Sequence, residues 1–196
     1  MKRLAALIGT LALVLTGCST ADTNTATGPD TAPAATGAQV EFLDAHGLAG
    51  MDVTEIIDHL DRLGGADRPT DLMASIRPDE LVFSDGQQEL AVAMPQDRFY
   101  LSVAPYVDQT HECFYHSLTT CQGELTDQDL DVRITTDDGE VLLEEEMTTF
   151  DNGFVGLWLP RDVHGTIEVS HDGRSGATDF TTTDDGATCL TTLQLT

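Results

Sequence analysis

The sequence predicts an α+β protein, with a small N-terminal helix/strand domain followed by an all-β, sandwich-like C-terminal domain. Three observations predict this class. A segment with helical periodicity ends at Gly64-Gly65, several short runs after Pro95 alternate with a period of two, and Asp-Gly turn signals separate those runs. The sequence contains no apparent internal repeat, so we expect two different modules.

Residues 1–17 read as a cleaved export signal. Lys2 and Arg3 precede a short apolar run, and a Leu-Thr-Gly triplet stands directly before Cys18. This succession of charged, apolar and small residues is typical of a secretory signal, and the triplet with its cysteine resembles the lipid-attachment box of bacterial lipoproteins. We therefore expect Cys18 to carry lipid and to anchor the chain in the cell envelope, on the extracytoplasmic side of the membrane. An ordinary signal peptide with a chance cysteine, or an uncleaved anchor, is the alternative.

Residues 18–39 are predicted to form a disordered tether between the lipid and the folded protein. They are rich in Thr, Ala, Pro and Gly and contain hardly any large apolar side chains. Such a segment cannot bury enough surface to offset the entropy of its chain.

The charge balance excludes one class of partner. The chain has 34 Asp and Glu against 9 Lys and Arg, which gives a formal net charge of −25. Because binding to a phosphate backbone needs a basic surface, we expect no nucleic acid partner. The acidic surface attracts cations weakly and selects no metal by itself.

Residues 40–94 are predicted to form the small α+β domain. Helical spacing predicts a helix between 51 and 63 that ends at Gly64-Gly65. Two strand-like runs, 81–83 and 89–94, flank a Ser-Asp-Gly turn. The apolar residues that recur in the helical segment at three- and four-residue spacing are Val53, Ile56, Ile57, Leu60 and Leu63.

Residues 95–196 are predicted to form the β-rich domain, and we place its boundary near Met94-Pro95. The runs 99–103, 131–135 and 166–170 alternate apolar and polar side chains, as half-buried strands do. Several short strands separated by turn signals are typical of a sandwich or a partly open barrel.

The cysteines are the feature that points to chemistry. The sequence contains four cysteines, and if Cys18 carries lipid, three thiols remain in an oxidising compartment. An odd number cannot all pair within one molecule. Either one disulfide leaves one free thiol, or the three thiols are held together for a reason. The three are Cys113, Cys121 and Cys189.

The residues around these cysteines supply soft metal ligands. His111 and His116 lie in segment 111–121, which also contains Cys113 and Cys121, and thiolate with imidazole binds copper(I) or zinc. On an extended segment His111 and Cys113 point to one face, and a loop can bring Cys121 back toward Cys113. Cys189 begins a predicted terminal strand and lies on its apolar face with Leu193 and Leu195, where it can meet that loop.

Spacing alone leaves two interpretations open. The chain contains no C-x-x-C pair, which would be the stronger sign of a metal site. A metal site remains one interpretation. A structural bridge, either Cys113–Cys121 or Cys113–Cys189, is the other.

Five ordered segments carry a resemblance to a known family. They are FYLSVAPY at 99–106, THEC at 110–113, HSLTTCQGEL at 116–125, NGFVGLWLPR at 152–161 and TCLTTLQL at 188–195. Together they resemble CueP, a family of bacterial periplasmic copper-binding proteins. The resemblance runs through residues 95–196 and more loosely back to about residue 40.

The resemblance implies a copper-binding protein of the envelope that supports copper resistance. It implies that Cys113, Cys121 and Cys189 hold copper(I), with His116 and His111 in support, and that zinc is the less favoured metal. It also implies a dimerising N-terminal domain and transfer of copper to a client such as a copper/zinc superoxide dismutase. The lipid box departs from freely soluble members, because a fixed anchor favours capture of copper at the membrane over shuttling.

Redox chemistry follows from the same ligand set. A cluster of thiols can reduce copper(II) stoichiometrically while it becomes oxidised, and the sequence predicts no catalytic residues beyond this. Two other functions stay open: a thiol–disulfide oxidoreductase of the cell envelope, and a structural lipoprotein stapled by one disulfide.

Overall fold

Two short helices precede ten β-strands in residues 37–196, which are the residues that the computed structural model describes. The predicted export signal, Cys18 and tether residues 18–36 lie outside them. The helices are α1 (Gly37–Ala45) and α2 (Val53–Asp61), and the strands are β1 (Met73–Ile76), β2 (Glu80–Ser84), β3 (Glu89–Ala93), β4 (Arg98–Val103), β5 (Asp129–Thr136), β6 (Val141–Thr148), β7 (Val155–Pro160), β8 (His164–His171), β9 (Arg174–Thr181) and β10 (Cys189–Leu190).

The strands form three sheets within this part of the chain. Their orders are β1-β2-β3, β10-β4-β7 and β6-β5-β8-β9, and the neighbours pair antiparallel except for β10, which lies parallel to β4. One core lies between the helices and the first sheet, and a second lies between the other two sheets. The predicted α+β class with a β-rich C-terminal part is confirmed.

Helix α2 begins at a capping box. The Asp52 carboxylate accepts hydrogen bonds from the backbone N–H groups of Thr54 and Glu55, at 2.8 and 3.0 Å, and the Glu55 carboxylate accepts from the Asp52 N–H at 2.8 Å. The helix ends at Asp61, two residues before the predicted end at Leu63. The last buried residue of the helix is therefore Asp61, which lies one turn after the buried Ile57 and carries a carboxylate.

Helix α1 begins at Gly37, three residues before the predicted start of the folded domain at residue 40, and takes in the last residues of the segment interpreted as tether. The boundary near Met94-Pro95 between the two predicted domains stays a prediction. No helix in residues 37–196 is both long and apolar enough to span a membrane.

An irregular segment, residues 116–118, extends the first sheet beyond β1. The Ile76 N–H donates to the His116 carbonyl and the Leu118 N–H donates to the Ala74 carbonyl, both at 2.8 Å. Thr188, directly before β10, binds both β1 and this segment. Its hydroxyl donates to the Ile76 carbonyl at 2.7 Å and accepts from the His116 N–H at 3.0 Å. Segment 116–118 is thereby fixed between β1 and β10.

Candidate metal centre

The three cysteines that the sequence singled out lie together. Cys113 and Cys189 form a disulfide with their Cα atoms 5.7 Å apart, although 76 positions separate them in the chain. Cys121 is a free thiol, and its Sγ lies 3.5 Å from the Cys113 Sγ. The fold therefore brings all three sulfurs into one cluster, which packs against Phe154 and Ala104.

The loop that carries Cys113 is fastened to β10. The N–H groups of Thr188 and Cys189 donate to the Phe114 carbonyl, at 2.9 and 3.2 Å. Two residues further on, the Thr191 hydroxyl donates to the His111 carbonyl at 2.7 Å. These bonds hold the His111–Phe114 loop beside the strand whose first residue is Cys189.

The loop after Cys121 rests on a close backbone contact. The Gly123 N–H donates to the Asn152 carbonyl at 2.7 Å, and a Cβ placed on Gly153 would lie 2.7 Å from the Gly123 carbonyl group. Gly153 also has a φ of +79°, which favours glycine. This contact leaves no room for a side chain and fixes the Cys121 loop against residues 152–153.

His116 is completely buried, and its two ring nitrogens face different partners. Nε2 lies 2.7 Å from the Asp61 carboxylate, and Nδ1 lies 3.8 Å from the Cys189 Sγ. Burial by itself lowers the pKa of His116, but the charge and hydrogen bond of Asp61 outweigh it, with a further contribution from Cys121, and raise the pKa from 6.5 to about 9. The ring therefore forms a buried ion pair with Asp61.

Both oxygens of the Asp61 carboxylate accept hydrogen bonds. The Tyr100 hydroxyl donates to Oδ2 at 2.6 Å, and the Asn152 amide donates to Oδ1 at 2.8 Å and to the Asp61 backbone carbonyl at 2.7 Å. Burial raises the pKa of Asp61, but the charge of His116 and these hydrogen bonds outweigh it, so the pKa lies below its usual value. Asp61 is ionised inside the protein because all its partners stabilise the carboxylate.

Cys121 lies in an environment that favours its thiolate. The Ser117 N–H lies 3.4 Å from its Sγ, and the Arg68 guanidinium donates to its backbone carbonyl at 2.6 Å. Burial raises the pKa of Cys121, yet His116, the Ser117 N–H and the charge of Arg68 together bring the pKa below the usual value of a thiol.

His111 has a ring nitrogen available for a ligand. Its Nε2 is buried and has no hydrogen-bond partner in the structure. The ring lies 6.3 Å from the Phe154 ring, measured between centroids. A buried nitrogen without a partner is costly, and a bound metal ion would satisfy it.

The side chains form two overlapping sets of three candidate ligands. The ligand atoms of His111, Cys113 and Cys121 lie within 4.8 Å of one another, and so do those of His116, Cys121 and Cys189. Cys121 belongs to both sets. Thiolate and imidazole are the soft and borderline donors that suit copper(I), so the residues fit that ion once the disulfide is reduced.

All five residues predicted as ligands lie in this cluster, but sequence reasoning missed the groups behind them. The sequence predicts no role at the site for Asp61, Asn152 or Tyr100. One signal was available for Asp61: it follows Ile57 by four residues, so it falls on the apolar face of α2.

The comparisons with known proteins agree on one family. The family described as "Periplasmic copper-binding protein CueP" matches residues 55–194. The crystal structure of S.CueP is similar to this chain, with 44% sequence identity and a TM-score of 0.77, over 83% of this chain and 100% of that chain. The comparison with curated proteins found no significant match.

Proposed function

The chain belongs to the CueP family of periplasmic copper-binding proteins, and we propose that it is an extracytoplasmic lipoprotein that holds copper(I) for copper resistance and homeostasis. Its ligands are the thiolates of Cys113, Cys121 and Cys189, with His116 and His111 in support. One observation carries this proposal: three sulfurs and two imidazoles from distant parts of the chain meet in one place, with ligand atoms within 4.8 Å in each set of three.

The disulfide sets the condition for binding. While Cys113 and Cys189 are joined, neither can act as a thiolate ligand. Two-electron reduction by an external dithiol, with uptake of two protons, opens the bond and releases two thiols, which join the free thiol of Cys121. In the reverse direction, two thiols can reduce two copper(II) ions to copper(I), with loss of two protons and formation of the disulfide. This stoichiometric reduction is the redox activity that we assign to the site.

Binding of copper(I) is tested by titrating the reduced mature chain against a competing copper(I) chelator. We expect Cys113→Ser, Cys121→Ser and Cys189→Ser each to weaken binding by at least tenfold. Met73→Leu is the matched control, because it removes another soft sulfur that lies exposed on β1. If all three serine variants bind copper(I) as tightly as the parent, the proposal fails.

The lipid anchor rests on the sequence around Cys18. We propose that Cys18 carries the lipid and that residues 18–36, with the start of the helical region, tether the folded part to the extracytoplasmic face of the membrane. This arrangement favours capture of copper at the membrane surface. Metabolic labelling with a fatty acid tests it: the parent should incorporate label, and Cys18→Ala should not. A labelled Cys18→Ala variant would contradict lipidation at this residue.

Two partners are proposed from the family alone. Residues 40–94 serve as a dimerisation domain, and a cuproprotein such as a copper/zinc superoxide dismutase is the client. Light scattering on the mature chain tests the first, since a monomer at all concentrations would contradict it. Mixing the copper-loaded chain with the metal-free client tests the second, since a client that stays metal-free would contradict it.

A thiol–disulfide oxidoreductase is the second candidate, and one contact favours it. The free Cys121 lies 3.5 Å from a sulfur of the Cys113–Cys189 disulfide, which is the neighbourhood that thiol exchange requires. This function predicts turnover on a protein disulfide without copper. A structural lipoprotein instead predicts one free thiol per folded chain, with or without copper. Thiol counting on the native protein separates the candidates.

A further inference from the structure

We propose that Asp61 is a positioning residue for copper binding: it holds the His116 ring so that Nδ1, and not Nε2, is the nitrogen that binds copper. The inference rests on the proposed function, because it assigns a ligand atom within that site and names the side chain that selects it.

The two hydrogen-bonding sides of the imidazole are already assigned by the geometry. Nε2 is engaged by the Asp61 Oδ1 at 2.7 Å, whereas Nδ1 lies 3.8 Å from the Cys189 Sγ. Cys121 belongs with His116 and Cys189 to one set of three candidate ligands, whose ligand atoms all lie within 4.8 Å of one another. A histidine that binds a metal through one nitrogen commonly donates its other N–H to a carboxylate, which fixes the orientation of the ring. Here the Nε2 proton stays with Asp61, and copper takes the place of the proton on Nδ1.

Asp61 can orient the His116 ring because hydrogen bonds to both of its oxygens hold the carboxylate in one orientation. Tyr100 binds its Oδ2 and Asn152 binds its Oδ1. Both the Asp61 and the His116 side chains are 0% exposed, so water does not compete for either group. The Phe154 ring lies 4.6 Å from the His116 ring between centroids and limits its rotation from another side.

A role in stability alone is a weaker account of this pair. Asp61 occupies the last position of the buried face of α2, next to Leu60, and the other buried side chains of the helix are apolar. Buried ion pairs contribute little net stability relative to such residues, because desolvation offsets their attraction. The ion pair between Asp61 and His116 instead fixes the direction in which Nδ1 of the His116 ring points.

His111 provides an internal comparison. Its Nε2 has no hydrogen-bond partner among residues 37–196, and no ion pair within that range involves its ring. Loss of the Asp61 carboxylate should therefore disturb the contribution of His116 to copper binding and leave that of His111 unchanged.

The first test needs no variant. The ring nitrogens of His116 are followed by ¹⁵N NMR on the reduced mature chain, before and after addition of copper(I). We expect the proton to reside on Nε2 and the Nδ1 resonance to shift on binding. A shift of Nε2 with Nδ1 unchanged overturns the inference. So does copper binding by the thiols with neither nitrogen affected, although that result leaves the proposed function intact. If no copper binds, both fail.

The second test is Asp61→Asn, with Asp58→Asn as the matched control on the exposed face of the same helix. Removal of such a carboxylate partner typically costs about 10- to 100-fold in metal affinity, and we expect a loss in that range for Asp61→Asn and none for the control. In a His116→Gln background the same substitution should have no further effect, because Asp61 acts through His116. An undiminished loss there would show a merely structural role. Tyr100→Phe, which keeps the carboxylate charge, gives a milder variant if Asp61→Asn does not fold.

Discussion

Asn152→Ala should destabilise the protein more than any exposed amide substitution, because the Asn152 side chain satisfies three buried groups at once. Its amide donates to the Asp61 backbone carbonyl and to Oδ1, at 2.7 and 2.8 Å, and its carbonyl accepts from the Phe154 N–H at 2.9 Å. Each group left without a partner costs roughly 1–3 kcal/mol. Since Oδ1 keeps its bond to His116, we count two full losses and one partial loss, and expect about 3–5 kcal/mol in total.

Urea unfolding of the mature chain measures this loss, with the disulfide intact in both proteins. The dependence of the unfolding free energy on urea should stay the same, since the buried surface hardly changes, and the midpoint should fall. Gln194→Ala is the matched control, because it removes an exposed amide that donates to the Val107 carbonyl at 3.0 Å; we expect less than about 0.5 kcal/mol there. An Asn152→Ala loss below about 1 kcal/mol would refute the reasoning that these bonds are shielded from water.

Three further predictions concern the surroundings of the site. The pKa of His116 in the folded protein is raised from 6.5 to about 9. The stability that the parent has over the His116→Gln variant should therefore be fully present below pH 6.5 and should disappear as the pH rises through about 9. Urea unfolding at several pH values measures this difference, and a difference that grows above pH 7 contradicts the prediction. Gly156→Ala places a Cβ against the Tyr100 hydroxyl and should lower the free energy of unfolding by roughly 1–3 kcal/mol, as measured by thermal unfolding. Gly65→Ala is the control and should cost much less, because only one atom lies within 4 Å of a Cβ placed there, at 3.7 Å. Equal losses in the two variants contradict the prediction. Asp52→Ala removes the capping box of α2 and should cost about 1 kcal/mol by urea unfolding, and an unchanged midpoint contradicts it.

The sequence predicted strands β4, β5 and β8 from their short runs of β-type residues, whereas strands β6, β7 and β9 were not predicted. Strand β5 shows a regular alternation of buried and exposed residues, and its run was predicted. Strand β6 is mostly exposed on both faces, so it carries no period-two signal. Strand β9 alternates in burial from Ser175 to Phe180, but two of its three inward residues are Gly176 and Thr178, so the sequence shows no apolar alternation there. The acidic run in β6 is solvated, as its composition indicates, yet it also pairs with β5 along its whole length.

The members of the candidate site were accessible from residue type, but their arrangement was not. His and Cys are few in the chain, so residue type marked His116 and Cys121 as candidates, and the resemblance to the family assigned them as ligands. Which cysteines pair, and which nitrogen of His116 faces the sulfurs, depends on contacts between residues far apart in the sequence. Asp61 shows the same limit: 55 positions separate it from His116, and only its place on an apolar helix face marked it in advance.

Segment 116–118 also covers a strand edge that would otherwise be open. An uncovered edge offers unpaired backbone groups to any neighbouring chain and favours intermolecular sheet formation. Here the hydrogen bonds from Ile76 and to Ala74 occupy that edge, and the same segment carries His116, which we propose as a copper ligand. Movements that release His116 would therefore also expose the edge of β1, which links loss of the proposed metal-binding geometry to aggregation of the protein.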